Sequence, residues 1–122
     1  MKFAYQHEKD GEFEGKGLRS FFEYRDLGID DATGGRFHAQ VIRAAQPCTD
    51  GTGRHTHTLD FQMVYVLQGW VKFWYEGEGE VTFQKGACVH QPPGIAHELM
   101  SCSGDCELLE ITSPAVFETH DA

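Results

Sequence analysis

The sequence predicts an all-β domain, built as a sandwich or a barrel. Short runs rich in β-branched and aromatic residues recur along the chain, and turn-forming residues separate them. The sequence contains no internal repeat and no convincing long helix. A chain of 122 residues can bury one hydrophobic core and is too short for two, so we expect one domain.

The first half of the chain predicts two strands behind an N-terminal arm. Residues 1–17 are rich in Gly, Glu and Lys, and we interpret them as a loose arm. Residues 19–25 predict the first strand, and a loop is expected around residues 30–35. Residues 36–43 alternate between two faces, which predicts a second strand, and the Gly-rich residues 47–54 form a loop.

The second half predicts a series of strands joined by turns. The apolar residues 63–67 predict a buried strand that ends in a turn. Residues 70–76 and 80–84 flank the sequence Gly-Glu-Gly, which predicts a hairpin. Residues 107–112 predict the last strand, and we interpret residues 116–122 as a C-terminal tail.

Two histidines, His55 and His57, are separated by one residue in a predicted strand. Because side chains alternate between the faces of a strand, both rings point the same way, with their Cα atoms roughly 6–7 Å apart. One metal ion can bridge that gap. Gln62 opens the strand that follows. Further along, residues 86–101 predict a strand, a Pro-Pro-Gly turn and another strand that carries His97.

These two stretches together resemble the cupin superfamily. Its first motif has the form G-x5-H-x-H-x3–4-E-x6-G and its second the form G-x5-P-x-G-x2-H-x3-N. The residues that match the two motifs are His55, His57 and Gly69, then Gly86, Pro92, Gly94 and His97. This chain departs from the pattern in three places: Gln62 replaces the glutamate, Ser101 replaces the asparagine, and the leading glycine is displaced.

The resemblance implies a particular all-β fold, the double-stranded β-helix or jelly-roll barrel of the cupins. The barrel domain is expected over residues 18–115, between the arm and the tail. In this architecture the inward faces of the motif strands line a cavity. The resemblance therefore implies that His55, His57, Gln62 and His97 surround one point. The three histidines would be metal ligands, and Gln62 would be either a fourth ligand or a donor to bound oxygen.

The chemistry of these side chains also favours a metal. A buried imidazole without a partner costs about 1–3 kcal/mol, so a cavity that holds three of them needs something to bind. Gln62 offers a neutral carbonyl oxygen, a weaker ligand than a carboxylate. Such a centre leaves positions open for water or substrate, as catalytic sites do. It suits a divalent transition metal, namely Fe, Mn, Ni, Cu or Zn.

A fourth histidine is a candidate catalytic residue. His90 and Cys88 share one face of a predicted strand, and we expect His90 to face the cavity as a general base. Other candidates for the cavity walls are Gln40, Tyr65, Phe73 and Tyr75. We interpret the aromatic members of this set as core residues, because aromatic side chains at strand spacing usually pack in the core.

The composition of the chain limits which partners it can bind and indicates its cellular compartment. The formal net charge of −9 argues against nucleic acid or an anionic membrane as the main partner. No apolar run is long enough to cross a bilayer, and the first residues lack the apolar core of a secretory signal, so a cytoplasmic protein is expected. The four cysteines are then expected as reduced thiols, although a bridge between Cys102 and Cys106 stays possible under oxidising conditions.

Small cupins with three-histidine sites include dioxygenases that act on diketones, thiols or flavonols. By resemblance, our first hypothesis is a metal-dependent dioxygenase or related oxidoreductase that acts on a small organic molecule. The alternatives are a metal-binding sensor or carrier without turnover, and a non-redox isomerase or lyase. The resemblance also implies a homodimer, for which the apolar residues near the chain ends, Phe3, Phe13, Val116 and Phe117, would be suitable contacts.

Overall fold

Two five-stranded antiparallel sheets form the protein, seen in a computed structural model that describes residues 1–15 and 21–122. Residues 16–20 lie outside the described part, and with them the predicted boundary between arm and barrel and the start of the predicted first strand. The strands in chain order are β1 (Phe22–Asp26), β2 (His38–Ala44), β3 (His55–Thr58), β4 (Phe61–Gln68), β5 (Trp70–Tyr75), β6 (Gly79–Gln84), β7 (Cys88–His90), β8 (His97–Cys102), β9 (Glu107–Ser113) and β10 (Glu118–Asp121).

The strand order confirms the predicted jelly roll. One sheet has the order β1-β2-β9-β4-β7 and the other the order β10-β3-β8-β5-β6. From β3 onward the chain passes repeatedly from one sheet to the other, so strands distant in sequence become neighbours. This exchange is how a jelly roll closes two sheets around one interior. No helix in the described ranges is long and apolar enough to span a membrane.

The core lies between the two sheets and follows the alternation of the strands. Val64 and Val66 on β4, Val71 and Phe73 on β5, and Leu108 on β9 are each at most 5% exposed. Their neighbours in sequence point outward, as the period of two requires. Burying each of these side chains contributes about 1.5–3 kcal/mol, which is the main force that holds the sheets face to face.

The hairpin at residues 70–84 is confirmed: β5 pairs with β6 in the register Trp70↔Gln84 to Tyr75↔Gly79. A second tight connection joins β4 to β5 at Gly69, where φ is +71°. A side chain at this position would meet Ser103 Oγ and the backbone of Cys106. The glycine of the first motif therefore serves both the turn conformation and the close approach of a neighbouring loop.

The loop expected around residues 30–35 is instead a short helix, α1 (Ile29–Thr33). Glycines in the left-handed conformation, Gly28 and Gly34, bound it on both sides. Ala32 is 5% exposed and is the one buried residue of this helix. One helical turn that buries a single alanine leaves too little apolar periodicity to be recognised in the sequence.

The ends of the chain differ from each other. The described residues of the arm, 1–15, are mostly exposed, and the Phe13 ring packs under the Arg43 guanidinium at 3.8 Å. At the other end, residues 116–122 were predicted to be a tail, but residues 118–121 form β10. This strand pairs with β3 and extends the barrel beyond residue 115. Its four side chains are polar and exposed, so backbone hydrogen bonds rather than a hydrophobic pattern hold it in the sheet.

Candidate metal centre

Three imidazole rings meet on one inner wall of the barrel. His55 and His57 lie on β3, and His97 is the first residue of β8, where it stands opposite His55 in the strand pairing. The ring centroids are 4.7 Å apart for His55 and His57, 4.4 Å for His55 and His97, and 4.9 Å for His57 and His97. The predicted convergence of the two motifs is thus present in the fold.

The outer nitrogen of each ring has a hydrogen-bond partner. Nδ1 of His55 donates to the Gly53 carbonyl at 2.8 Å, and Nδ1 of His97 donates to the Ile95 carbonyl at 3.0 Å. Nδ1 of His57 lies 2.8 Å from the Thr119 hydroxyl. A carbonyl oxygen only accepts, so it fixes the proton of His55 and of His97 on Nδ1 and makes Nε2 the ligating atom.

The spacing fits a single ion. One ligand atom from each histidine lies within 4.8 Å of the other two. Imidazole nitrogens bind zinc at about 2.0–2.1 Å, so two ligand atoms on one ion are at most about 4.2 Å apart. Small side-chain rotations would bring the three nitrogens from the first spacing to the second. The three histidines can therefore hold a divalent transition metal.

Burial favours the neutral form of His97, one of these rings. The pKa of His97 is lowered from its ordinary value of 6.5, chiefly because the ring is removed from water. The hydrogen bond to the Ile95 carbonyl acts in the opposite direction, and the neighbouring His55 lowers the pKa further. A neutral imidazole with an available lone pair is the form that binds a metal.

Gln62 lies beside the three rings on the cavity wall and is 4% exposed. Its Nε2 donates to Oε2 of Glu110 on β9 at 3.1 Å, and Gln40 on β2 donates to Oε1 of the same carboxylate at 2.9 Å. A carboxylate accepts and does not donate, so it holds the Gln62 amide with its nitrogen toward Glu110. The Gln62 carbonyl oxygen is then the atom that can serve as a ligand.

A cavity of about 430 Å³ opens beside the histidines. Its aromatic lining comes from Phe22, Tyr24, Phe73 and Phe117, and aliphatic side chains from β2, β4, β8 and β9 complete the apolar walls. The Phe117 ring lies 5.1 Å from that of His57. The segment predicted as a tail thus supplies part of the cavity wall and, through Thr119, a partner of His57.

Gln91 is a buried polar residue in this cavity that the sequence did not single out. It is 2% exposed, and its Nε2 donates to the Tyr75 hydroxyl at 2.6 Å. The Gln91 carbonyl oxygen is buried without a hydrogen-bond partner. Such a group is unfavourable unless something in the cavity satisfies it.

The expectation that His90 faces the cavity is not met. His90 is exposed and pairs with Met63 on the outer face of the sheet, where its ring stacks on Phe61 at 5.6 Å. Strand parity explains the difference, because β4 buries Gln62 and Val64 and turns Met63 outward. His90 therefore does not lie where it can act on a ligand in the cavity.

Two of the four candidate wall residues line the cavity and two do not. Gln40 and Phe73 line the cavity, whereas Tyr65 is 37% exposed and points away from it. Tyr75 is a buried core residue that does not itself line the cavity; its hydroxyl accepts a hydrogen bond from Gln91, and its ring centroid lies 6.2 Å from that of His97.

Sequence reasoning missed Glu110, although a signal was present. In the predicted last strand, Leu108, Glu110 and Thr112 share one face, and Leu108 and Thr112 are at most 2% exposed. A carboxylate between two buried positions on the inner face is unusual enough to mark a site. No comparable pattern marks Gln91, which follows a strand of three residues and precedes a proline turn.

All four cysteines are free thiols. Cys48, Cys102 and Cys106 are buried in the core, and Cys88 is exposed. No disulfide joins them, and the reduced state that we expect from the compartment stays a prediction.

Two antiparallel sheets around an internal cavity, with three histidines on its wall, define a small jelly-roll barrel able to hold a metal. The chain belongs to the cupin family: the family model described as Cupin domain matches residues 43–112, which is more than half of the chain. A comparison with curated proteins found no match.

Solved structures share the fold at low sequence identity. The polyketide cyclase RemF from Streptomyces resistomycificus is 18% identical, with a TM-score of 0.79 over 98% of this chain and 85% of that protein. An RmlC-like cupin from Shewanella frigidimarina is 18% identical, with a TM-score of 0.73 and 93% of each chain covered. Oxalate decarboxylase from Bacillus subtilis is 13% identical, with a TM-score of 0.71 over 99% of this chain and 32% of that one.

Proposed function

We propose that this cupin is a metal-dependent enzyme of the dioxygenase type that acts on a small organic molecule. One observation carries the proposal: three histidine rings, each with a hydrogen-bond partner at Nδ1, converge on the wall of a mostly apolar cavity. A structural metal site would be closed by protein ligands on all sides. Here three imidazoles form one face, and the cavity lies beside them.

The proposed ligands are Nε2 of His55, His57 and His97, with the carbonyl oxygen of Gln62 as a fourth. When bound, the metal supplies a Lewis acid for an oxygen of the substrate and, if redox-active, electrons for dioxygen. The chain itself does the rest. The aromatic walls hold the apolar part of the substrate and exclude water, and Glu110 and Gln91 present polar atoms to its functional groups.

A second candidate is a non-redox isomerase, lyase or cyclase, and Glu110 is the observation that favours it. A carboxylate held by Gln40 and Gln62 within the cavity is positioned to accept a proton from a bound substrate. Relatives of similar fold include a polyketide cyclase and a protein described as a DMSP lyase. A sensor or carrier would bind the metal and the ligand without turnover.

Metal exchange separates these candidates. The purified protein is stripped with a chelator and reloaded in parallel with Fe(II), Mn(II), Ni(II), Cu(II) or Zn(II). It is then incubated with diketones, thiols and phenols while oxygen uptake and products are followed. A dioxygenase consumes oxygen with a redox-active metal and is inactive with zinc. Turnover with zinc under anaerobic conditions would instead establish the non-redox candidate, and binding without product would establish a carrier.

We further propose that the protein is a cytoplasmic homodimer. Four free thiols, of which Cys88 is exposed, suit a reducing compartment. In the described part of the arm, Phe3 is 90% exposed and Tyr5 is 75% exposed, and their rings lie 5.8 Å apart. A second copy would cover this apolar surface. Light scattering should give the mass of two chains for the wild type, and the single-chain mass would refute the dimer.

A further inference from the structure

We infer that the cavity selects a small, mainly apolar molecule that carries a neutral hydrogen-bond donor in addition to its metal-binding oxygen, and that Glu110 rejects dicarboxylates. The inference rests on the proposed function, because it takes the cavity as the substrate site.

The charge of the lining is the first reason. Among the described residues that line the cavity, Glu110 is the one acidic side chain, and none is a lysine or an arginine. The histidine cluster can neutralise one anionic group through its metal. A second carboxylate of the ligand that approached Glu110 would meet a like charge, with no lysine or arginine of the lining to offset it, which is unfavourable.

The hydrogen-bond inventory of Glu110 is the second reason. Each of its oxygens accepts one amide N–H, from Gln40 at 2.9 Å and from Gln62 at 3.1 Å. Each carboxylate oxygen has a further lone pair, so Glu110 can accept again but cannot donate. A ligand group that meets Glu110 must therefore bring its own donor, as a hydroxyl or an enol does.

Gln91 is a second residue of the cavity wall with an acceptor that lacks a partner. This side chain lines the cavity and is 98% buried, as its relative exposure of 2% shows. Its Nε2 is occupied by the Tyr75 hydroxyl, and its carbonyl oxygen has no partner. With its amide in this orientation, Gln91 presents an acceptor to the cavity as Glu110 does, and a donor on the ligand would satisfy either group.

The size and the walls of the cavity define the remaining part of the ligand. A volume of about 430 Å³ lies at the small end of the roughly 300–1,000 Å³ that is usual for small-molecule sites. Four aromatic rings on the walls favour a flat or aliphatic body over a sugar-like one. A ring with two separated oxygens, one toward the histidines and one toward Glu110, meets these conditions.

The test uses three probes with the same ring: resorcinol, phenol and isophthalate. The two polar groups of resorcinol and of isophthalate are in meta positions, so they cannot both bind one metal ion. Binding is measured by calorimetry with the zinc-loaded protein and again with the metal-free protein. We expect resorcinol to bind about tenfold more tightly than phenol, because its second hydroxyl donates to a charged acceptor. Isophthalate should bind at least tenfold more weakly than resorcinol.

Two variants assign the selectivity to Glu110. Glu110→Gln keeps the shape but removes the charge and adds a donor, so it should reduce the preference for resorcinol over isophthalate at least tenfold. Glu107→Gln makes the same change on β9 outside the cavity and should leave the preference unchanged. Circular dichroism checks that both variants fold, and the wild-type ratio decides by itself if Glu110→Gln unfolds.

The outcomes distinguish this inference from the proposed function. Equal or tighter binding of isophthalate by the wild type, an unchanged ratio in Glu110→Gln, or no binding of resorcinol would overturn the inference, even if the metal binds. Failure of the protein to bind any metal would refute the proposed function, and the ratio in the metal-free protein would still decide the inference.

Discussion

Gln62 on β4 donates its side-chain amide to Glu110 on β9 at 3.1 Å. The motif that this chain resembles has a glutamate at position 62, whereas here the negative charge in the cavity stands on Glu110. The hydrogen bond directs the Gln62 amide nitrogen toward Glu110, so the carbonyl oxygen is the Gln62 atom that we propose as a metal ligand. The neutral residue at position 62 and the carboxylate at position 110 therefore form one unit.

Replacing Gln62 with glutamate should destabilise the metal-free protein. Gln62→Glu removes the donated hydrogen bond and places a second carboxylate against Glu110 in a buried wall, which costs about 1–3 kcal/mol. A bound cation relieves the repulsion, so the rise in melting temperature on zinc addition should exceed that of the wild type. Thermal unfolding with chelator and with zinc measures both effects.

A matched control lies at the other end of the same strand. Gln68 also donates to a carboxylate, that of Asp105 at 3.4 Å, but both groups are exposed. Gln68→Glu should change the stability of the metal-free protein by less than about 0.5 kcal/mol. Equal losses of stability in the two variants would show that the buried contact between Gln62 and Glu110 contributes no more to folding than the exposed contact between Gln68 and Asp105.

The Thr119 hydroxyl should contribute to metal affinity through its contact with His57. It lies 2.8 Å from Nδ1 of His57 and orients that ring. Loss of such an outer partner typically weakens metal binding about 10–100-fold, and we expect Thr119→Val to fall in this range in a chelator competition titration. Thr58→Val removes a hydroxyl that contacts His120 outside the cluster and should leave the affinity unchanged. Identical affinities for wild type and Thr119→Val would contradict this role.

The sequence predicted those parts of the fold that depend on local features, namely strand alternation and turn residues. The spacing of His55 and His57 follows from strand alternation, and the hairpin at residues 70–84 follows from its glycines. Residues whose place depends on tertiary pairing were not predictable in this way. The polar β10 has no apolar pattern to reveal it, and it joins the sheet only because β3 offers an open edge.

In the site, too, local spacing was predictable from the sequence and tertiary pairing was not. The motif spacing led to the three histidines, whereas the orientation of His90 depended on the register between β4 and β7. That register turns Met63 and His90 outward together. Glu110 could have been found from the parity of β9, because it shares a face with Leu108 and Thr112.

The stability of the metal-free protein should fall as the solution becomes acidic. Burial lowers the pKa of His97 below its ordinary value of 6.5, so the unfolded chain binds this proton at a higher pH than the folded chain. The contribution of the neutral ring is therefore fully present above 6.5 and is lost as the pH falls from 6.5 through the lowered value.

Urea unfolding at about pH 7.5 and about pH 5 measures this loss in wild type and in His97→Leu. The wild type should lose more stability between the two conditions than the variant, which has no imidazole to protonate at this position. Parallel loss in both proteins would assign the pH dependence to other groups.

Thiol reactivity should follow exposure in this protein. A hydrogen bond from Cys106 lowers the pKa of Cys102 to about 7, yet Cys102 is 3% exposed. Burial raises the pKa of Cys48 to about 11. Cys88 is exposed, and we expect it alone to react quickly with a thiol reagent in the folded protein. Cys88→Ser should abolish the fast phase, and a fast phase that persists in this variant would show that the low pKa of Cys102 outweighs its burial.

Metal titration of the wild type and of His97→Ala tests the central claim most directly. Metal-free protein is titrated with Co(II) while the visible absorption and the heat of binding are recorded, and His120→Ala, altered at an exposed ring outside the cluster, serves as the control. We predict one equivalent of Co(II) for the wild type and for His120→Ala, and no specific binding for His97→Ala. Binding that His97→Ala retains in full, or a wild type that binds no metal, would contradict a shared site of His55, His57 and His97.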